Sequence, residues 1–265
     1  MEQEFSLVVL LFFSYSFIGW LWETVYCGIK ARHFVYRGFL LGPITPIYGF
    51  GVIGVLYLID PFQKNIFLLF GLSFILCTIL EYITSFLLEK IFHLTLWDYK
   101  KVPLNINGRV AVPVSIFWGA ACVFIVRVLN PHLMTILEGL YARFSIFLPV
   151  LLLMLISADT GFTLANVSSL RRRMTELSGA IQEKKTQLQT DVNQRLDTLK
   201  TEAKERQTER KEWLEAFKDP ETRKKLPKLN LQERRFLNAF PTMKSSDLKS
   251  SLPDIRQVVK TLREK

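Results

Sequence analysis

Five apolar stretches, each long enough to cross a bilayer, constrain this chain more than any other feature. A helix needs about 20 apolar residues to span the hydrocarbon core. Stretches of this length occupy residues 5–29, 38–59, 65–88, 110–129 and 144–167. The pattern predicts an all-α polytopic membrane protein with five transmembrane helices over residues 1–167.

The first stretch is expected to remain in the protein as a helix. Residues 1–4 are Met-Glu-Gln-Glu, so the basic start of a cleavable signal peptide is missing, and the apolar run is longer than that of a usual signal peptide.

Charge divides the chain into two unlike parts. Hydrophobic residues make up 49% of the sequence, yet charged residues still reach 22%. Residues 1–167 hold ten Lys/Arg and nine Asp/Glu, whereas residues 168–265 hold twenty-four and fifteen. Nearly all of the net positive charge therefore belongs to the tail, which we expect to lie outside the bilayer.

Basic loop residues predict the orientation of the spans. Five crossings place the termini on opposite sides, and cytoplasmic loops carry the excess of Lys and Arg. One side would carry Lys30, Arg32, Arg37, Lys90, Lys100, Lys101, Arg109 and Arg171–Arg173, and the other side Lys64, Arg127 and Arg143. We therefore expect a multi-pass protein of the cell membrane with an external N-terminus and a cytoplasmic tail.

Three acidic residues lie inside these apolar stretches. At about 1.5 Å of rise per residue, Glu23, Glu81 and Asp159 all fall in the inner half of the membrane, on the side where Arg109 opens the fourth span. The second span is interrupted at the same depth by Pro and Gly in "RGFLLGPITPIYGFG". Buried intramembrane carboxylates are costly and are commonly functional. This arrangement predicts a polar cavity that is open to the cytoplasm.

A simpler interpretation of each acid is structural. A carboxylate near a helix end can reach the headgroup water or pair with a nearby arginine such as Arg32 or Arg109. Because helix depth brings these residues level and an isolated buried charge is costly, Glu23 is expected within reach of Glu81 or Arg109.

The stretch "EYITSFLLEKIFHLTLWDYKKVPLNINGRV" supplies further polar candidates. Trp97 and Tyr99 suit the interfacial aromatic belt. Asn107 could bind a ligand or simply close a turn, and Asp98 could pair with Arg109 and hold this loop under the cavity.

This stretch and "YSFIGWLWETVYCGIKARHFVYRGFLLGPITPIYGFG" resemble the motifs of the ABC-transporter type IV, or CmpB-like, permease family over roughly residues 10–130. The resemblance implies a permease. The matching positions are Gly19, Trp20, Glu23, Arg37, Gly38, Gly42, Pro43, Pro46, Tyr48, Gly49, Glu81, Trp97, Asp98, Tyr99, Asn107, Gly108 and Arg109. Combined with the acids, they give the candidate binding residues Glu23, Arg37, Tyr48, Glu81, Asp98, Asn107, Arg109 and Asp159.

Several kinds of chemistry have no support in the sequence. No phosphate-binding loop of the form G-x-x-x-x-G-K-[ST] occurs, so ATP-driven transport would need a separate ATPase subunit. The cysteines and histidines are scattered, so neither a zinc site nor a disulfide framework is predicted. No cofactor or metal is expected, and no catalytic residue can be assigned.

The tail has a helical pattern. Apolar residues with a 3-4 spacing and one register shift predict a coiled-coil-like helix over residues 168–218, followed over residues 219–265 by short helices between prolines. The seam consists of Leu170, Met174, Leu177, Ile181, Leu188, Val192, Leu196, Leu199 and Ala203. We expect it to mediate a homo-oligomer or to bind a partner helix through residues 170–203. A stalk that contacts nothing is the alternative. The basic charge favours anionic lipid headgroups over nucleic acid.

Three hypotheses follow for function. The leading one is a transporter-like or permease-like subunit whose cavity binds a cation, a proton or a polar headgroup. The second is a membrane enzyme that acts on a lipid or isoprenoid with Glu23 or Glu81 as acid or base. A faint likeness of "WDY" and "NGRVAVPVSIFW" to membrane-bound carotenoid cyclases prompts it, although Val114 stands where those enzymes have a carboxylate. The third is a scaffold that acts through its tail.

Overall fold

A computed structural model describes residues 1–195, 217, 226–240, 243–245, 248 and 252–261. The chain forms two compact units. The first, here called the membrane unit, comprises Met1–Ala165 and Asn238–Met243, and the second, the tail unit, comprises Asn166–Leu237 and Lys244–Lys265.

Helices make up most of the described chain. In order, the elements are α1 (Glu2–Ala31), α2 (Pro46–Leu58), a 3-10 turn (Asp60–Phe62), α3 (Ile66–Phe92), β1 (Leu94–Thr95), β2 (Asn105–Ile106), β3 (Val110–Ala111), α4 (Val112–Phe124), a π-helical turn (Ile125–Leu129), α5 (Asn130–Phe144), α6 (Phe147–Arg195), α7 (Leu231–Ala239), β4 (Lys244–Ser245) and α8 (Leu252–Thr261).

Four helical segments in the described part of the chain are long and apolar enough to cross a membrane. They are Glu2–Ala31, Ile66–Phe92, Val112–Phe144 and Phe147–Lys184. Four of the five predicted stretches therefore coincide with such helices. Within the second predicted stretch, residues 39–45 are not helical and only the 13-residue helix α2 follows. The prediction that Pro and Gly break this stretch agrees with the structure, whereas its crossing of the membrane stays a prediction.

Helices α1 and α2 approach each other closely through two glycines. A Cβ atom on Gly49 would lie 2.4 Å from the Ser16 hydroxyl and 2.7 Å from the Phe12 carbonyl oxygen. One on Gly19 would lie 2.2 Å from the Tyr48 ring. Small residues allow this approach of helix backbones in membranes, and it brings the start of α2 against the middle of α1.

The core of the membrane unit consists of two apolar clusters. One joins α1, α2 and α5 through Leu10, Leu11, Tyr15, Val52 and Leu137, and the Tyr15 hydroxyl donates to Asn130 Oδ1 at 3.0 Å. The other joins α2, α3 and the α4–α5 segment through Val55, Ile59, Leu69, Cys122 and Val126. Helix α2 contributes to both clusters and is thus the central element of the unit.

The tail unit buries the beginning of the predicted seam. Leu170, Met174, Leu177 and Ile181 are each at most 1% exposed. Leu177 and Ile181 pack against Phe217, Leu226, Ile255 and Val258. Segments of the same chain cover this part of the seam, and the predicted coiled-coil pairing through residues 170–203 stays a prediction. The side chains of Leu188 and Val192, and residues Leu196, Leu199 and Ala203, lie outside the described residues.

A buried glutamate organises the start of α7. The Glu233 carboxylate accepts from the Asn230 backbone N–H at 2.7 Å, and Asn230 Oδ1 accepts from the Glu233 N–H at 2.8 Å. This reciprocal arrangement is a capping box. Glu233 also accepts from the Ser169 hydroxyl and pairs with Arg173, and it is 0% exposed. One side chain therefore caps α7 and fastens it to α6 inside the tail unit.

Candidate functional site

Glu23 on α1 makes polar contacts with Arg37 and with Tyr48 at the start of α2. Its Oε2 atom pairs with Arg37 Nε at 3.3 Å, and its Oε1 atom accepts from the Tyr48 hydroxyl at 2.8 Å. The side chains of Glu23 and Arg37 are 24% and 15% exposed. Glu23 thus has both a basic partner and a neutral hydrogen-bond donor, which together offset the cost of removing its charge from water.

Close packing fixes the position of the Tyr48 ring. The ring lies directly over Gly19, where any side chain would collide with it. It also contacts Trp118 of α4 edge-on, with 5.2 Å between centroids. The hydroxyl is thereby held toward Glu23, so the short α2 presents a defined donor to α1.

Glu81 on α3 has a tyrosine partner of its own. The Tyr99 hydroxyl donates to Glu81 Oε1 at 2.9 Å. Burial, and after it the Glu81 carboxylate, raise the pKa of the Tyr99 phenol well above its usual range. The phenol therefore stays protonated and remains a donor. Glu23 and Glu81 lie near enough for their charges to interact, and the charge of Arg37 acts on Tyr99.

Asp159 on α6 holds the non-helical segment before α2. Its Oδ1 atom accepts from the Leu41 N–H at 2.9 Å, and its Oδ2 atom accepts from the Gly42 N–H at 2.7 Å. The Thr163 hydroxyl adds a third bond at 3.0 Å. The first two of these hydrogen bonds tie the backbone of the segment before α2 to α6.

Arg109 forms a separate group of contacts. Its Nη2 atom pairs with Glu89 at 2.7 Å, and the rings of Tyr82 and Phe86 lie 5.6 and 5.5 Å from the guanidinium carbon. Asn107 Nδ2 donates to the Tyr82 hydroxyl at 3.3 Å. Arg109 and Asn107 are thus anchored to the last turns of α3.

A tight β2–β3 hairpin carries the remaining loop candidates. Asn105 pairs with Ala111 across the hairpin, and its Oδ1 atom accepts from the Gly108 N–H at 3.1 Å. Asp98 Oδ1 accepts from the Lys100 N–H at 3.0 Å and lies beside Gly108, whose φ of +70° suits glycine. Trp97 Nε1 donates to the Arg109 carbonyl oxygen at 2.9 Å. These bonds fix the loop that positions Tyr99.

The model of the family described as "Putative ABC-transporter type IV" matches residues 10–164, which is more than half of the chain. The chain belongs to this family. No match was found among curated proteins, and none among solved structures.

Membership of the ABC-transporter type IV family confirms the resemblance inferred from the two motif stretches and extends it past residue 130. Together with the apolar helices it identifies a transporter-like membrane protein.

The candidate residues of this ABC-transporter type IV protein do not form one group. Glu23 contacts Arg37 and Tyr48. Glu81 bonds to Tyr99 instead, and its link to Glu23 is the long-range interaction of the two charges. Arg109 bonds to Glu89 instead of Glu23, and the contacts of Asp159 go to the segment before α2. The basic partner of Glu23 is thus Arg37, where Arg32 or Arg109 had been considered. The predicted Asp98–Arg109 pair stays a prediction.

Three further residues of the ABC-transporter type IV protein lie near this site: Tyr99, Ala239 and Phe240. Tyr99 was interpreted only as an interfacial aromatic residue. Its position among the family motifs could have indicated that it belongs to the site. Ala239 and Phe240 contact Arg37, through a hydrogen bond to the Ala239 carbonyl oxygen and a ring 4.8 Å from the guanidinium carbon. No local pattern in the sequence connects positions that are about two hundred residues apart.

No group of three or more His, Cys, Asp and Glu side chains among the described residues is placed to hold a metal ion. Cys77 and Cys122 face each other across α3 and α4 with their sulfur atoms 3.6 Å apart.

Proposed function

We propose that the protein is a permease subunit in which Glu23 and Glu81 form a binding site for a proton or a monovalent cation, reached from the cytoplasm. The charge balance carries this proposal. Glu23 and Glu81 contribute two negative charges, and Arg37 contributes one positive charge, paired with Glu23. Among the described residues, the contact of Glu81 is with the Tyr99 hydroxyl, which is neutral.

A desolvated carboxylate without a basic partner favours uptake of positive charge. The cost of an isolated intramembrane charge is removed when the group binds a proton or a cation. The net charge of the three side chains is one unit negative, so a single positive charge neutralises it. The two tyrosine hydroxyls can reorient their oxygen lone pairs toward a bound cation, and they keep the carboxylates in place when it leaves.

We further propose five membrane crossings with the tail in the cytoplasm. Helix α2 has 13 residues and is about 20 Å long, which is shorter than the roughly 30 Å hydrocarbon core. The segment before α2, held by Asp159, can supply the missing length because its backbone groups have partners. The bias of basic loop residues supports the same orientation.

Cysteine labelling tests this orientation. A membrane-impermeant maleimide applied to intact cells should modify a cysteine placed at Gln3 or Gln63 and should not modify one placed at Lys100. After the cells are permeabilised, the Lys100 position should react as well. Protection of Gln3 and Gln63 together with labelling of Lys100 would reverse the topology and move the site to the external side.

The partners follow from the family and from the membrane environment. A separate ATPase subunit fits an ABC-transporter-type membrane chain that has no phosphate-binding loop in its sequence. Lipids surround the apolar helices. An anionic lipid surface for the basic tail remains a prediction.

Ligand binding to the purified protein tests the site itself. We expect acidification of the protein in detergent to produce an infrared signal of a protonated carboxyl group, and radioactive sodium to bind if the ligand is a cation. Glu81→Gln should remove the signal or weaken sodium binding about tenfold or more, because it deletes the charge that attracts the ligand. Glu138→Gln, which alters an exposed acid on α5, should leave both unchanged.

The result separates the possible ligands. A carboxyl signal without sodium binding identifies the proton, and saturable sodium binding identifies a cation. Normal protonation and normal sodium binding in both Glu81→Gln and Glu23→Gln would refute the proposed site.

A further inference from the structure

A short apolar segment of the tail belongs to the membrane unit. Asn238–Met243, here called the return segment, clusters with Met1–Ala165, although the chain on both sides of it belongs to the tail unit. Ala239, Phe240 and Met243 are 1%, 4% and 2% exposed. The burial of these three residues and their grouping with Met1–Ala165 indicate that they belong to the structure of the membrane unit.

Arg37 connects the return segment to the polar site. Its Nη1 atom donates to the Ala239 carbonyl oxygen, and the Phe240 ring lies 4.8 Å from its guanidinium carbon. Its Nε atom pairs at the same time with Glu23 Oε2. The guanidinium is planar and rigid, so the geometry of one contact constrains the other.

We propose that the return segment is a built-in inhibitory element, docked through Arg37, whose docking opposes ligand binding at Glu23. Docking of the return segment through Arg37 does not depend on which ligand the site binds. Inhibition of ligand binding at Glu23, in contrast, rests on the proposed function. The regulated site is the one formed by Glu23 and Glu81.

Thermodynamic linkage gives the direction of the effect. The Glu23 carboxylate holds Arg37 in the orientation that faces the Ala239 carbonyl oxygen and the Phe240 ring. A proton or cation on Glu23 competes with Arg37 for the same oxygen atoms, so it loosens the guanidinium and weakens docking. Coupling between two binding events is reciprocal. Docking of the return segment must therefore lower the affinity of Glu23 for its ligand by the same factor.

Other groups around Glu23 do not take over the role of Arg37. The Tyr48 hydroxyl is neutral and donates a hydrogen bond to the Glu23 carboxylate. Glu81 carries the same negative charge as Glu23, and Tyr99 is a neutral hydrogen-bond donor to Glu81. Arg37 is the basic residue among the described contacts of Glu23, and it also reaches the return segment. Among the described contacts, the coupling therefore passes through Arg37.

Hydrogen exchange of the full-length protein tests the docking. In the double variant Glu23→Gln/Arg37→Met no unpaired charge is left behind, yet both contacts to the return segment are lost. Amides of Ala239, Phe240 and Met243 should exchange about tenfold faster or more, because a charge-assisted hydrogen bond and a cation–π contact are removed. Exchange in α8 (Leu252–Thr261) should not change. Leu231→Ala, at an exposed position at the start of α7, is the matched control and should leave the return segment protected.

Ligand binding tests the inhibition. Phe240→Ala keeps Glu23, Glu81 and Arg37, and it should bind a proton or radioactive sodium severalfold more tightly than the wild type. Unchanged exchange in the double variant would refute docking through Arg37. Equal affinity of wild type and Phe240→Ala would refute inhibition while leaving the proposed function intact. If neither protein binds a proton or sodium, the proposed function fails and the inhibition falls with it, whereas the exchange result still decides the docking.

Discussion

Replacing Glu233 by alanine should destabilise the tail unit by about 3–5 kcal/mol, because three hydrogen bonds to a buried carboxylate are lost and each contributes roughly 1.5–3 kcal/mol at most. Glu233 is fully buried and accepts hydrogen bonds from Ser169, Asn230 and Arg173. Its removal leaves the Arg173 guanidinium without this carboxylate and removes half of the α7 capping box. Thermal unfolding of the full-length protein, together with hydrogen exchange in α7 and α8, measures the loss.

Glu176 provides the matched control for this prediction. It pairs with Arg172 one helical turn away at 3.8 Å, and the two side chains are 54% and 76% exposed. Exposed pairs of this kind contribute roughly 0.3–0.5 kcal/mol, so Glu176→Ala should change stability little. Equal effects of Glu233→Ala and Glu176→Ala would mean that the Glu233 contacts do not hold the tail unit together.

Replacing Asp159 by alanine should release the segment before α2 and destabilise the membrane unit by roughly 3–6 kcal/mol, because two charge-assisted hydrogen bonds are lost. The Leu41 and Gly42 N–H groups would lose the acceptors that the structure provides. A cysteine at Ile44 should then react faster with maleimide in detergent, and unfolding should begin at a lower denaturant concentration. Asp159→Asn should lie between alanine and wild type, because an amide offers one acceptor oxygen and turns a donor toward the other N–H.

Asp60→Ala is the control for Asp159→Ala. Asp60 is an exposed acid in the 3-10 turn after α2. Its removal should affect neither the reactivity of the Ile44 position nor unfolding. An Asp159→Ala protein that behaves like Asp60→Ala would show that other contacts fix the segment.

The positions of the long apolar helices were predictable from the sequence because they depend on local composition, whereas the ends of the last two segments were not: Val112–Phe144 and Phe147–Arg195 both extend well past the predicted 110–129 and 144–167. The long apolar helices and the break before α2 follow from hydrophobic runs and from Pro and Gly within a few residues. The common depth of Glu23 and Glu81 in the membrane stays a prediction. Depth does not fix the direction in which a helix faces, however, so it did not distinguish Arg37 from Arg109 as the partner of Glu23.

The tail illustrates the same distinction. The 3-4 spacing of Leu177 and Ile181 predicted burial correctly, but a periodic pattern does not identify what covers it. Ile255 and Val258 do so from far along the same chain. The Asn230–Glu233 spacing is a local capping signature that the sequence could have revealed. The pairing of Glu233 with Arg173 depends on tertiary packing and could not be read locally.

The π-helical turn at Ile125–Leu129 sets the rotational phase of α5 relative to α4. A π-helical turn accommodates one more residue than an α-helical turn in the same place. Without that extra residue, α5 would turn by about 100° around its axis. Asn130 would then leave the Tyr15 hydroxyl, and Leu137 would leave the cluster it shares with α1 and α2. The fold therefore depends on the number of residues in this segment as much as on their identity, and a single-residue deletion there is a more severe change than most substitutions of its side chains.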